Sequence, residues 1–136
     1  MLRIVLGAAI ITLGTVGPAM AQDRIRISSD WDEVTAELTD NAASQTLAAM
    51  LPLTIEMRDH LRQEKTGPLP SALPDLPRQQ EFSIGMLGLW SSRDLVIYYR
   101  VGQVPLPGII VLGKVSGDAS MFDRPGAVTL RIERAD

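Results

Sequence analysis

Polar and apolar residues alternate along much of this chain with a period of two. That is the pattern of a strand with one face in a core and the other in water. Ile25 and Ile27 alternate with Arg24, Arg26 and Ser28, while Val34, Ala36 and Leu38 alternate with Glu33, Thr35 and Glu37. Ser28-Ser29-Asp30-Trp31-Asp32 between them has turn chemistry, so residues 24–38 are expected to form a hairpin. Leu53, Ile55 and Met57 alternate with Thr54, Glu56 and Arg58, and Val128, Leu130 and Ile132 with Thr129, Arg131 and Glu133. Residues 95–99 and 109–112 are apolar on both faces, as central strands covered on two sides would be. Met86–Trp90 is expected to pair with residues 94–100 across Ser91-Ser92-Arg93.

The period changes once. Asp40 and Asn41 are helix-capping types, and Ala43, Leu47, Met50 and Leu51 follow at helical spacing until Pro52 stops the helix. Residues 58–82 hold Pro68, Pro70, Pro74 and Pro77 and are expected to be a long irregular loop, a lid or binding loop. A shorter loop, residues 102–108, carries Pro105 and Pro107. About seven strands with one short helix after the second predict a mainly β fold, a small closed or nearly closed β-barrel.

The N-terminus changes the compartment. A basic start at Arg3, uncharged residues 4–17 and the Ala19-Met20-Ala21 site form a secretory signal peptide over residues 1–21, leaving residues 22–136 as one domain. The rival is an uncleaved anchor, since residues 4–21 are uncharged. The protein is thus expected to be exported, periplasmic or secreted, without stable membrane insertion after cleavage. The chain has no cysteine, which removes disulfides, thiolate metal sites, a Cys nucleophile and lipoprotein anchoring. Its net charge of −3 becomes −4 without Arg3, against a nucleic-acid partner.

The order of four stretches resembles the bacterial cyclophilin-like domain family, small barrel proteins of largely undefined function. They are Leu38-Thr39-Asp40-Asn41 through Met50-Leu51-Pro52-Leu53; Glu64-Lys65 with Leu69-Pro70 and Leu73-Pro74; residues 84–90 leading into 94–99; and Pro107-Gly108-Ile109 through Leu112-Gly113-Lys114-Val115. The chain departs from the family pattern at Met86, where an acidic residue is usual, and at Ser91-Ser92-Arg93 in place of a Pro-Gly-Asn-like turn. The resemblance implies a cyclophilin-like β-barrel with a groove on its surface, and a fold carries no reaction with it.

The candidate chemistry is sparse. Cyclophilins that isomerise prolyl bonds use an arginine in a Phe-x-x-x-Arg-like context, with a Gln and aromatics. No such run occurs here, and Arg58 is the arginine that stands out, at the mouth of the long loop. His60, the single histidine, lies near Glu56, Asp59 and Glu64, a weak metal signal that reads as exposed loop charge. No G-x-S-x-G elbow accompanies a serine. Gly108 to Lys114 imitates a P-loop, but Val115 replaces the magnesium-binding Ser/Thr. Gly108 and Gly113 read instead as a strand start and a bulge or close backbone approach. Of the adjacent Tyr98 and Tyr99, one is expected in the core and one toward a groove or solvent.

The candidate groove comprises Met57, Arg58, Glu64, Lys65, Met86, Trp90, Tyr98 and Tyr99, with no catalytic residue, metal or cofactor assigned. The leading expectation is a non-catalytic binding module for a small molecule or peptide. The alternatives are a prolyl-isomerase-type enzyme with an altered site and an accessory protein acting through a protein–protein surface.

Overall fold

The computed structural model describes residues 23–135. The proposed signal peptide and its cleavage site lie outside the described residues. Eight antiparallel strands close a barrel. They are β1 (Arg24–Ser28), β2 (Glu33–Leu38), β3 (Leu53–His60), β4 (Glu64–Pro68), β6 (Met86–Trp90), β7 (Asp94–Tyr98), β9 (Ile110–Ser116) and β10 (Val128–Arg134), in the order β1-β10-β3-β4-β7-β6-β9-β2. Two further short strands, β5 (Glu81–Phe82) and β8 (Gly102–Gln103), pair in a separate ribbon. One helix, α1 (Ala42–Ala49), follows β2, and a 3-10 turn spans Ser120–Phe122.

The alternation read from the sequence is the inside–outside alternation of the barrel wall. Ile25, Ile27, Ala36, Leu38, Ile55, Met57, Leu130 and Ile132 all enter one core. The helix begins where the capping chemistry places it, with the Ser44 N–H donating to Asn41 Oδ1 at 2.8 Å. It stops before Met50 and Leu51 rather than including them. Ala43, Leu47 and Ala48 enter the same core, while the Ser44 hydroxyl donates to the Leu112 carbonyl and Asn41 Nδ2 to that of Val111. Those bonds fasten the helix to β9.

Residues 58–82 are not one irregular loop. β3 runs through Arg58 to His60, turns tightly, and returns as β4, which pairs with both β3 and β7. β4 escapes hydropathy patterning because Glu64-Lys65-Thr66-Gly67 has no apolar side chain, although all four residues are buried. Only residues 69–80, before β5, remain without a named strand. This segment does not cover a groove. Leu69 and Leu73 sink into the core, and its backbone is tied to the β6–β7 turn through Leu69 N–H to Arg93 O and Leu73 N–H to Ser92 O.

Arg78 adds donors to the carbonyls of Leu89, Gly108 and Ser91, the last at 2.7 Å. Charged donors to carbonyls contribute about 1.5–3 kcal/mol each when well formed, less when shared or exposed. Arg78→Ala is expected to raise hydrogen exchange at the Leu69 and Leu73 amides at least tenfold while β1 and β10 amides keep their protection. Unchanged exchange at Leu69 and Leu73 would show that the apolar anchors suffice alone.

Candidate functional site

Period two decides which neighbours share a face. On β3, β4 and β7 the cross-strand partners are Arg58 with Thr66, His60 with Glu64, Glu64 with Tyr98, and Thr66 with Val96. These side chains lie on the outer wall. The intervening residues Met57, Lys65 and Tyr99 turn inward and are buried. The outer face of β6 and β7 carries a small cluster of its own, in which Phe82, Val96, Tyr98, Val104 and Ile109 pack together with Met86 and Trp90 against them. Phe82 stacks on Tyr98 with ring centroids 3.9 Å apart and planes 14° apart. Gly102 permits this stack, because a Cβ there would stand 2.7 Å from the Phe82 ring.

A cleft of about 390 Å³ opens between this cluster and the β3–β4 hairpin. Trp90, Val96, Val104 and Pro105 supply apolar walls; Arg58, His60, Gln63, Glu64, Thr66, Asp94 and Gln103 supply polar groups; and Tyr98 lies at the floor. Leu61, 75% exposed, stands at the rim in the hairpin turn. Leu61 and Arg62 both have positive φ, 53° and 52°, the backbone of a tight hairpin turn that Gly and Asn usually occupy. Arg62 is held there by donating to Tyr99 Oη and Asp123 Oδ1. No such tie holds Leu61, an exposed apolar residue in a strained turn.

The structure divides the eight groove candidates. Arg58, Glu64, Trp90 and Tyr98 line the cleft together. Met57, Lys65 and Tyr99 belong to the barrel interior, each one residue out of phase with a cleft residue. Met86 packs on the outer cluster and borders a different depression, beside Val111, Gly113 and Lys114. The expected lid is also corrected: Gln103, Val104 and Pro105 rim the cleft, and residues 69–80 do not. His60, Leu61, Gln63, Thr66, Asp94, Val96, Gln103, Val104 and Pro105 line the cleft without having been groove candidates. For Thr66 and Val96 the signal would have been register against Arg58 and Glu64, which requires β4 to be recognised as a strand.

Lys65 has a separate part to play. Its ammonium, wholly enclosed, donates to Asp59 Oδ1 at 2.8 Å, to Gly126 O at 3.1 Å and to Arg124 O. Tyr99 Oη donates to the same Asp59 oxygen at 2.6 Å. Burial would raise the Asp59 pKa, but the bonds from Lys65 and Tyr99 and the charges of Lys65 and Arg62 outweigh it and hold the carboxyl below its usual value. The Lys65 ammonium also lies 5.2 Å from the centre of the Trp31 ring, on whose face Arg124 rests at 4.6 Å. This network closes one end of the barrel.

The cleft carboxyl behaves oppositely. Burial pushes the Glu64 pKa above its usual value, against the opposing effects of the Gln63 hydrogen bond, His60 and the nearby Tyr98 hydroxyl. His60 and Glu64 share the outer face, whereas Asp59 turns inward. Among the described residues no group of three or more His, Cys, Asp or Glu side chains converges as a metal site.

A family model described as the cyclophilin-like family matches residues 27–133. Among solved structures, a hypothetical protein of Archaeoglobus fulgidus, known from its solution structure, is similar with a TM-score of 0.68 and 16% identity. The similarity covers 88% of this chain and 99% of the archaeal one, and at that identity it concerns the fold. No curated protein matches the chain.

Proposed function

The chain belongs to the cyclophilin-like family, and from that premise we propose that it is a non-catalytic binding module whose outer-face cleft takes a small molecule or a short peptide. The observation that carries this reading is the Tyr98 hydroxyl. It is buried at the floor of the cleft and has no hydrogen-bond partner among the described residues. An apolar cleft with a few convergent polar groups is the usual form of a ligand site. Trp90 offers a flat wall, and the exposed Leu61 gives an incoming apolar group something to bury. The signal-like residues 1–21 support placing this activity outside the cytoplasm.

One observation favours prolyl isomerase chemistry as the second reading. Arg58 stands in the cleft with an aromatic wall nearby and forms no ion pair among the described residues. Two experiments separate the readings. Titration of the 15N-labelled protein with a panel of apolar and X-Pro tetrapeptides is expected to move the Trp90, Val96 and Val104 signals saturably. An absence of movement there across the panel would sink the peptide form of the proposal. An NMR exchange assay on the X-Pro peptides is expected to show no acceleration of isomerisation. Acceleration that disappears in Arg58→Ala would replace the binding module with an enzyme.

A further inference from the structure

The cleft floor holds an unfinished set of hydrogen bonds, and their chemistry selects a ligand. Tyr98 is 0% exposed, fixed by its stack on Phe82, and its hydroxyl lies close to the Glu64 carboxyl without forming a well-aligned hydrogen bond among the described residues. Folded proteins seldom leave a buried hydroxyl so, because its lost hydration is not replaced. Directly across the β4–β7 ladder stands Glu64, 5% exposed. Glu64 Oε1 accepts from Gln63 Nε2 at 3.1 Å, the one side-chain bond the carboxyl makes among the described residues. The floor therefore presents an O–H donor beside a carboxyl with acceptor capacity to spare.

The complement of that pair is a group with an N–H and a C=O on the same edge. Primary carboxamides, lactams and pyrimidinones have one. A trans peptide unit points its N–H and C=O to opposite sides, and a prolyl amide has no N–H. A carboxylate ligand would set its own oxygens against Glu64. The cleft, at about 390 Å³, has room for a single ring with a substituent, since an apolar cavity of roughly 150 Å³ already holds benzene. The ring's flat face is matched by Trp90 and Val104.

We propose that this cleft recognises the donor–acceptor edge of a planar, uncharged amide, with Glu64 accepting from its N–H, Tyr98 donating to its carbonyl, and Trp90 covering its ring. This inference rests on the cleft being the ligand site and narrows the ligand class.

The test uses benzamide, N,N-dimethylbenzamide and benzoate as probes of the purified protein. Binding is followed at the Trp90 indole N–H and the Val96 methyls. Benzamide is expected to bind saturably, in the roughly millimolar range of so small a ligand, and the other two at least tenfold more weakly. Tyr98→Phe keeps the ring and the stack, so the protein should unfold at the same temperature or higher while losing benzamide affinity at least tenfold. Equal binding of benzamide and its dimethyl derivative, or full affinity in Tyr98→Phe, would overturn the amide reading but leave an apolar binding cleft. Silence from all three probes would also overturn it, and the peptide titration then tests the peptide form of the broader reading separately.

Discussion

Asp59→Ala is expected to lower the stability of this protein by about 3–5 kcal/mol, the cost of stranding a buried charge whose partner has been removed. For a domain of this size that is a fall of roughly 10–20 °C in Tm. Lys65 cannot swing into water to recover, because its side chain is wholly enclosed between β3, β7 and the β9–β10 connection. The two remaining carbonyl acceptors satisfy two of its three protons and do not neutralise it. Lys65→Met in the Asp59→Ala background should recover most of the loss, since an apolar side chain of similar length removes the stranded charge. Urea unfolding of the two single variants and the double variant measures this directly. A loss below about 1 kcal/mol in Asp59→Ala would mean that water reaches Lys65 and that the network does not close the barrel.

The same network sets the acid limit of the fold. Asp59 has a folded pKa below its unfolded value, so its stabilisation is complete above about pH 4 and is lost as pH falls through the folded pKa. Asp123, lowered chiefly by its bond to Arg100, acts in the same direction from the surface. Glu64 runs the other way: its raised pKa favours the fold below its unfolded value, and that contribution is lost as pH rises through the folded one. The ionised form of Glu64 thus favours the fold less than the protonated form does, in the same place where the Tyr98 hydroxyl lacks a well-aligned partner. Both are groups that a fold optimised only for stability would have replaced.

Gly113→Ala is the second large expected effect, about 3 kcal/mol of destabilisation, at the upper end of what overpacking ordinarily costs. Gly113 pairs with Leu38 across β9 and β2. A Cβ there would lie 2.4 Å from the Glu37 carbonyl oxygen and 3.1 Å from Leu38 Cα. Both are backbone atoms of the ladder itself, so the clash is relieved only by opening the β2–β9 seam. Gly117→Ala is the comparison: its φ of +88° strains a side chain, but nothing lies within 4 Å of the added atom. That variant should lose only about 1 kcal/mol, the usual cost of a left-handed backbone. Thermal unfolding that shows equal losses would attribute both to backbone conformation and remove steric contact as the cause.

Gly113 shows how a sequence motif can be resolved by its neighbours. Four β-favouring residues between Gly108 and Lys114 argue for a strand rather than a phosphate loop, and β9 begins within them. The expected irregularity is present: pairing with β6 shifts between Leu87 and Gly88, opposite Gly113 and Val111. The α1 boundary was legible to within two residues because Asn41 and Pro52 act locally. β4 was hidden for the opposite reason. A strand whose inward residue is Lys65 leaves no hydrophobic trace, and only the acceptors on β3 and the β9–β10 connection make that residue tolerable inside a barrel.

The amino-acid sequence by itself determined the class of fold, because alternation and capping are carried by residues near one another in the chain. Of the groove candidates read from it, Arg58, Glu64, Trp90 and Tyr98 line one cleft. Arg58, Glu64 and Tyr98 each sit beside the residue of opposite destiny, and composition cannot say which of two neighbours faces out. Tertiary structure decided that through register: once β4 lies between β3 and β7, one set of alternating side chains must fill the barrel and the other must form the cleft. It also decided that Lys65 is a structural ammonium and that the Tyr98 hydroxyl is left without a partner. Both depend on which residues meet across gaps of tens of residues, and no local pattern encodes those meetings.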